Sequence, residues 1–425
     1  MDLVAVLTVT GGLLAFGLIS RRIRGTPLTG PMLFTGFGVL VGPAVLGWVD
    51  VGITHGTLHL LAEVTLIVVL FSDAANIDLR QLRSDHDLPV RMLLVGMPLG
   101  IALGAVLARG VLPGLALWEA ALLAAILVPT DAALGQAVVT DRAVPVRIRQ
   151  ALNVESGLND GIALPFVLVL ATLASMTAEG ADVGHWLTFG ARQVTFGPLA
   201  GIAVGAIGAK LVALSYRARW MTEEAEGIVA LSLAFGAFAL AELVDGNGFL
   251  AAFVAGLTFG NVLQYRCKFL YEFTDAEGKI LILLTFTAFG VVMIPAAAPV
   301  VTAGSIVFAV LALTVMRMIP IHLSLLGTGV RPVTSAFLGW FGPRGLASVL
   351  FVLLILEEAA VEHREAVSAA VTVTVALSVL LHGITAGPGA RWYGARAHAM
   401  GEAEETRPVG ELPFPDSARP ASRRA

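Results

Sequence analysis

The chain predicts an all-α, polytopic membrane protein, and three observations predict it. The composition is 57% hydrophobic and 14% charged, with a mean hydropathy of +0.85, where soluble domains carry about 25% charged residues. The apolar stretches are continuous and about twenty residues long, enough to span a bilayer as helices. They lack the alternation that barrel strands need. The basic residues gather in every second connection between these runs. A net charge of −4 gives no reason to expect nucleic acid as a partner. The single cysteine, Cys267, excludes an internal disulfide and any cysteine-based metal site.

Thirteen spans follow in order, at 3–20, 28–48, 56–75, 89–108, 116–139, 150–175, 192–214, 226–244, 248–263, 277–297, 300–325, 333–355 and 366–387. The first is preceded by Met-Asp and followed by RRIRG, the layout of a span with its N-terminus outside and not of a cleaved signal peptide. VDGNG alone joins the eighth to the ninth. In this topology the cytoplasmic connections and tail hold 22 of the 27 Lys and Arg residues. The opposite connections hold Arg109, Arg192 and Arg364, and only Arg317 and Arg344 fall inside spans. Adding or dropping one span would scramble the asymmetry. Residues 388–425 are rich in Ala, Pro, Arg and Glu without an apolar period. They read as a disordered cytoplasmic tail, which divides the chain into a transmembrane unit, 1–390, and a tail, 391–425.

An odd span count suits two inverted six-span repeats, spans 1–6 and 8–13, linked by span 7. The fifth and twelfth spans hold matching positions and both are interrupted, by LVPTDAALG and WFGPRGLAS. A proline among polar residues at membrane depth breaks the backbone ladder, and such breaks are tolerated where they line a cavity or pack in protein. Broken helices in corresponding repeats point to a transporter's binding site.

The polar side chains concentrate next to these breaks. Asn153 to Pro165 reads NVESGLNDGIALP, and on a helix Glu155, Ser156, Asn159 and Asp160 fall within an arc of roughly 140°. Asp160 lies eleven residues beyond Arg149, roughly 16 Å deeper along the axis, close to the midplane of a core about 30 Å thick. Asn-Asp-Gly also marks turns, but the flanking apolar runs favour the helix. A bare carboxylate at that depth costs at least several kcal/mol, so it carries a proton or a cation, and alternating between the two is a transport cycle. Asp131 reaches a similar depth from the cytoplasmic Asp141. It reads either as a neutraliser of half-helix dipoles or as an ion ligand. Thr130 offers a hydroxyl or a freed carbonyl to a hard cation. Arg317 and Arg344 each need a carboxylate or a helix C-terminus. Arg317 suits Glu155, which leaves Asp160 unpaired, and Arg344 suits the dipole ends opposite Asp131. Asp73, in LFSDAANIDLRQL, reads as a vestibule ligand or as a wet interfacial acid. His382 reads as a pH sensor or as an interfacial histidine. No phosphate-cradling loop, zinc spacing or nucleophile elbow appears, so an enzyme is not expected.

PTD in the fifth span, ESGLNDG in the sixth, GNGFLAAFVAG in the ninth and FGPRGLAS in the twelfth together resemble the monovalent cation:proton antiporter 1 family. The bacterial NhaP-type sodium/proton exchangers look most similar, over nearly all of residues 1–390. The resemblance implies a homodimer, with a core of spans 3–6 and 10–13 that moves like an elevator against a dimerisation domain of the remaining spans. It implies Asp160 as the shared cation and proton site, with Ser156 and Thr130 as further ligands and Asp73 near a third-span acidic ligand. It also implies a structural pair of Glu155 with Arg317. Asn159 stands where an electrogenic sister family has a second aspartate, which implies electroneutral exchange. The sequence departs from the family at Ala132, commonly Pro, and at Asp73, commonly Glu. The expected activity is exchange of Na⁺, or of K⁺ or Li⁺, for H⁺, with no cofactor, in a bacterial plasma membrane with the C-terminus cytoplasmic. The alternatives are a cation channel or uniporter and a membrane cation sensor.

Overall fold

The computed structural model of the protein describes residues 3–23, 26–49, 55–77, 79, 87–179, 183–222, 225–263, 268–356, 359–401 and 403–407. Arg24, Arg80, Arg83, Arg266, Cys267 and the tail beyond 407 lie outside them. The described residues form helices and no strands. Among the described residues nine helices are long and apolar enough to cross a membrane, and four shorter apolar ones accompany them.

The first half of the chain forms α1 (Leu3–Ile23), α2 (Gly30–Val41), α3 (His55–Ala75), α4 (Asp87–Val111), α5 (Leu117–Leu127), α6 (Ala132–Val139) and α7 (Val146–Glu179). Next come α8 (Val183–Arg217), α9 (Ala225–Glu242) and α10 (Gly248–Val262). The chain then forms α11 (Lys268–Ala288, prolonged to Ala297), α12 (Ala303–Ser324), α13 (Pro332–Trp340), α14 (Leu346–Leu356) and α15 (Arg364–Ala399). Each run read from the sequence overlaps one of these helices, and the fifth and twelfth each overlap a pair of half-helices, α5 with α6 and α13 with α14.

Burial differs widely among these apolar helices. All of Glu119–Leu127 in α5 is buried, as expected for a helix that is apolar on every side. It sits in the largest apolar cluster with residues of α3, α4, α7, α14 and α15. By contrast α1 buries nothing, and Leu3, Leu7, Leu14 and Leu18 face outward. Ala251, Ala252 and Ala255 let α10 lie close against its neighbours in a second cluster with α8 and α9, the small-residue packing that membrane helices use. Short π-helical turns at Met92–Gly96 and Phe289–Met293 precede Pro98 and Pro295. Each proline lacks the N–H of a regular turn, and the wider π turn absorbs the mismatch.

The two broken spans meet at their breaks. Asp131 N–H donates to the Pro343 carbonyl at 2.8 Å. Arg344 Nη1 donates to the Val128 carbonyl at 2.7 Å, and Ser348 Oγ to the Ile126 carbonyl at 2.7 Å. These bonds satisfy groups that the interrupted ladders leave open.

The C-terminal expectation needs correction. Residues 391–401 and 403–407 are not an unstructured tail. α15 runs on to Ala399, and a short 3-10 turn, Glu404–Thr406, docks on the bundle. Ala386, Ala390, Tyr393 and Ala397 bury one face of the extension at helical spacing. The Tyr393 ring stacks on Phe337. Glu405 Oε1 accepts from Arg331 N–H at 2.7 Å and from Thr334 Oγ1 at 2.8 Å, so the turn caps the start of α13. Arg147, at the start of α7, pairs with Glu404 at 2.7 Å.

Candidate functional site

The site is built where α7 passes the crossing. Glu155, Ser156 and Asn159 are buried on α7, and Arg317 is buried on α12. Arg317 Nη1 and Nη2 donate to Glu155 Oε1 and Oε2 at 2.7 and 2.9 Å. This two-point bond fits a planar guanidinium to a carboxylate and balances both charges in an apolar interior. Gly342 lies so near that a Cβ there would overlap the Arg317 guanidinium. Thr130, on the stretch between α5 and α6, is buried against the same group. Its hydroxyl lies 3.2 Å from Glu155 Oε2 and 3.0 Å from Ser156 Oγ, and it accepts from Asn159 Nδ2. Four residues named from the sequence, Thr130, Glu155, Ser156 and Asn159, thus form one network with Arg317.

Asp160 lies beside this network with a different status. It forms no ion pair among the described residues, and its Oδ1 is buried without a hydrogen-bond partner. Its charged neighbours are Asp73, Asp131 and Glu155. Glu155 is already neutralised by Arg317. Asp73 is half-buried near the end of α3, with no hydrogen bond or ion pair among the described residues. Asn159 Oδ1 is likewise buried and unpaired. A desolvated carboxylate with oxygen-bearing neighbours and no cation of its own suits a hard monovalent cation or a proton.

Asp131 and Arg344 sit on the crossing. Asp131 Oδ1 accepts from Leu134 N–H at 3.3 Å, and Oδ2 accepts from Leu346 N–H at 2.8 Å. One carboxylate therefore meets the N-termini of both α6 and α14, where helix dipoles favour negative charge. Arg344, 1% exposed, faces the carbonyls that end α5. Gly345 admits the Asp131 carboxylate, because a Cβ there would overlap it. Gly345→Ala is expected to push Asp131 off the Leu346 amide and to cost about 1–3 kcal/mol, the size of a disrupted buried charged hydrogen bond. A melting curve in detergent that matches wild type would contradict it.

The sequence of residues 6–392 matches the family described as sodium/hydrogen exchanger, transmembrane. The chain belongs to that sodium/hydrogen exchanger family. Among similar members, the K(+)/H(+) antiporter NhaP of Alkalimonas amylolytica is 24% identical over 93% of this chain and 67% of its own. The Na(+)/H(+) antiporter ApNhaP of Aphanothece halophytica is 26% identical over 89% of this chain and 72% of its own. The Na(+)/H(+) antiporter 2 of Zygosaccharomyces rouxii is 28% identical, but the chain spans only 31% of its length. The sodium proton antiporter MjNhaP1 of Methanocaldococcus jannaschii shares the fold, with a TM-score of 0.75 over 92% of this chain and 99% of that one at 17% identity. These members of the sodium/hydrogen exchanger family are transporters and not enzymes.

Two groups in this family member were misread or missed in the sequence. His382 is not interfacial. It is 1% exposed, and its Nε2 lies 2.8 Å from the Trp340 carbonyl. Ser378, one turn earlier on α15, accepts the Arg344 N–H at 2.6 Å. The available signal was a serine and a histidine four residues apart, hence on one face of an apolar helix.

Proposed function

We propose that this protein exchanges a monovalent cation, Na⁺ first and K⁺ or Li⁺ by the same chemistry, for H⁺ across a bacterial plasma membrane. The observation that carries the reading is the buried, unpartnered Asp160 oxygen beside a Thr130–Ser156 hydroxyl pair whose other acid, Glu155, is already neutralised. Asp160, Ser156, Thr130 and Asp73 supply hard oxygens that replace the water of a small cation. A proton on Asp160 removes the charge that holds the cation, so the two compete for one carboxylate. The site crosses the membrane when loaded or protonated, whereas the bare anion is too costly in the apolar interior. Coupling follows without a second site. With Asn159 uncharged and Glu155 committed to Arg317, the exchange is one cation for one proton and electroneutral. In this reading a core of spans 3–6 and 10–13 carries the site like an elevator against a dimerisation domain in a homodimer, with the N-terminus outside and the C-terminus cytoplasmic. No cofactor takes part.

The test uses purified protein in proteoliposomes with an acid interior reported by a quenched dye. Addition of Na⁺, K⁺ or Li⁺ is expected to relieve the quenching for at least one cation, at a rate unchanged by an imposed membrane voltage. Cation uptake without proton efflux would replace the reading with a channel or uniporter, and a voltage-dependent rate would overturn electroneutrality.

A further inference from the structure

The half-helix α13 ends inside the protein at Trp340, where its last carbonyls point away from any continuing turn. Such a C-terminus carries partial negative charge and needs donors. At the other break Arg344 serves the end of α5. At the end of α13 the donor is His382 of α15, through Nε2 to the Trp340 carbonyl at 2.8 Å. α15 holds the same residue at two further points. The indole N–H of Trp340 donates to Thr385 Oγ1 at 3.1 Å, and its ring lies 5.0 Å from the imidazole.

The hydrogen bonds also favour one state of the ring. A carbonyl only accepts, and the shorter of the two carbonyl contacts, to Trp340, places the hydrogen of a neutral ring on Nε2. Ser378 Oγ accepts the Arg344 N–H at 2.6 Å and can give its own hydrogen to His382 Nδ1 at 3.2 Å. The Ser378 carbonyl, 3.0 Å from Nδ1, would take a second ring hydrogen only in an imidazolium. That ion would sit buried one hydrogen-bonded serine away from Arg344, and no carboxylate bonds to it among the described residues, an arrangement the apolar interior penalises heavily. The neutral ring completes a chain from Arg344 N–H through Ser378 and His382 to Trp340. Because the Arg344 side chain also holds the Val128 carbonyl, this chain reaches the residues that place Thr130.

We propose that His382 is a positioning residue for cation binding: as a neutral imidazole it caps the end of α13 and, through Ser378, holds Arg344 against the stretch that carries Thr130. This rests on the exchange reading above. It assigns His382 a fixed geometric role and no role as a pH sensor.

The test compares wild type, His382→Gln, His382→Leu and Ser378→Ala in proteoliposomes. Glutamine keeps a donor for Trp340 and an acceptor for Ser378, whereas leucine keeps neither. His382→Leu is expected to raise the apparent KM for the transported cation about tenfold while the maximal rate stays within about twofold, the signature of a disturbed binding geometry. His382→Gln should stay within about twofold of wild type in both and should reproduce the wild-type pH profile. Ser378→Ala, a smaller change that keeps the fold if leucine does not, should raise KM about threefold. Wild-type KM in both His382→Leu and Ser378→Ala would overturn the proposal, as would a displaced pH profile in His382→Gln. If wild type moves no cation at all, the exchange reading falls. Cation-free melting then still reads the cap: His382→Leu melting below both wild type and His382→Gln supports it, and three equal curves refute it.

Discussion

Asp160→Asn is expected to reduce cation/proton exchange by at least about a hundredfold while leaving the protein folded, as when a group that acts in every cycle is removed. Asparagine matches aspartate in size and keeps an oxygen, so packing around α7 is retained. What it loses is the capacity to alternate between a charged and a protonated form. Asp160 has no ion pair to break among the described residues, and its buried Oδ1 has no hydrogen-bond donor to orphan. Removing a buried, unpaired charge therefore costs no stability, and the melting temperature should equal or exceed that of wild type. The stabilisation that added Na⁺, K⁺ or Li⁺ gives wild type in a melting experiment should vanish, because that shift reports binding to the folded state. Exchange near wild-type rates in Asp160→Asn would show that the shared carboxylate lies elsewhere, and Asp73 is the next acid to replace.

Much of the architecture was legible because the bilayer restricts it. Apolar runs of span length place the helices, and PTD and GPRG mark the two breaks where the ladder fails. The Glu155–Arg317 pairing was legible from charge economy, since a buried guanidinium demands a counterion and few acids lie at that depth. The contact between the breaks was not, because Asp131 and Leu346 are far apart in the chain and only the folded bundle brings them together. The two misreadings, His382 and the tail, share one cause. The last apolar run ends at Gly387, yet Pro388 sits inside α15, which continues to Ala399. Ending the helix near 387 put His382 at the cytoplasmic surface. The twelve further residues add roughly 18 Å of helix beyond it. The helical spacing of Ala386, Ala390, Tyr393 and Ala397 carried the signal, but alanine marks an apolar face weakly when Arg and Gly lie between.

Breaking the Glu155–Arg317 pair should be the most damaging single change to stability. Arg317→Ala leaves the Glu155 carboxylate buried with the Thr130 hydroxyl as its one remaining hydrogen-bond partner among the described residues, and Glu155→Ala strands a guanidinium beside Gly342. Each single substitution is expected to cost about 3–5 kcal/mol, the penalty of an uncompensated buried charge. Replacing both by apolar residues of similar length, Glu155→Leu with Arg317→Met, removes the two charges together. It should restore most of the loss, with a coupling of at least about 2 kcal/mol in a double-mutant cycle of detergent melting. The same cycle separates scaffold from site. Glu155 is one of three side chains that meet the Thr130 hydroxyl, so the apolar double variant should fold yet hold cation more weakly, because Thr130 and Ser156 lose a fixed partner. Additive single-variant losses would show that the pair does not act as a unit. Wild-type cation affinity in the double variant would show that Thr130 is held by Asn159 and the crossing alone, and Glu155 would then serve only to balance the charge of Arg317.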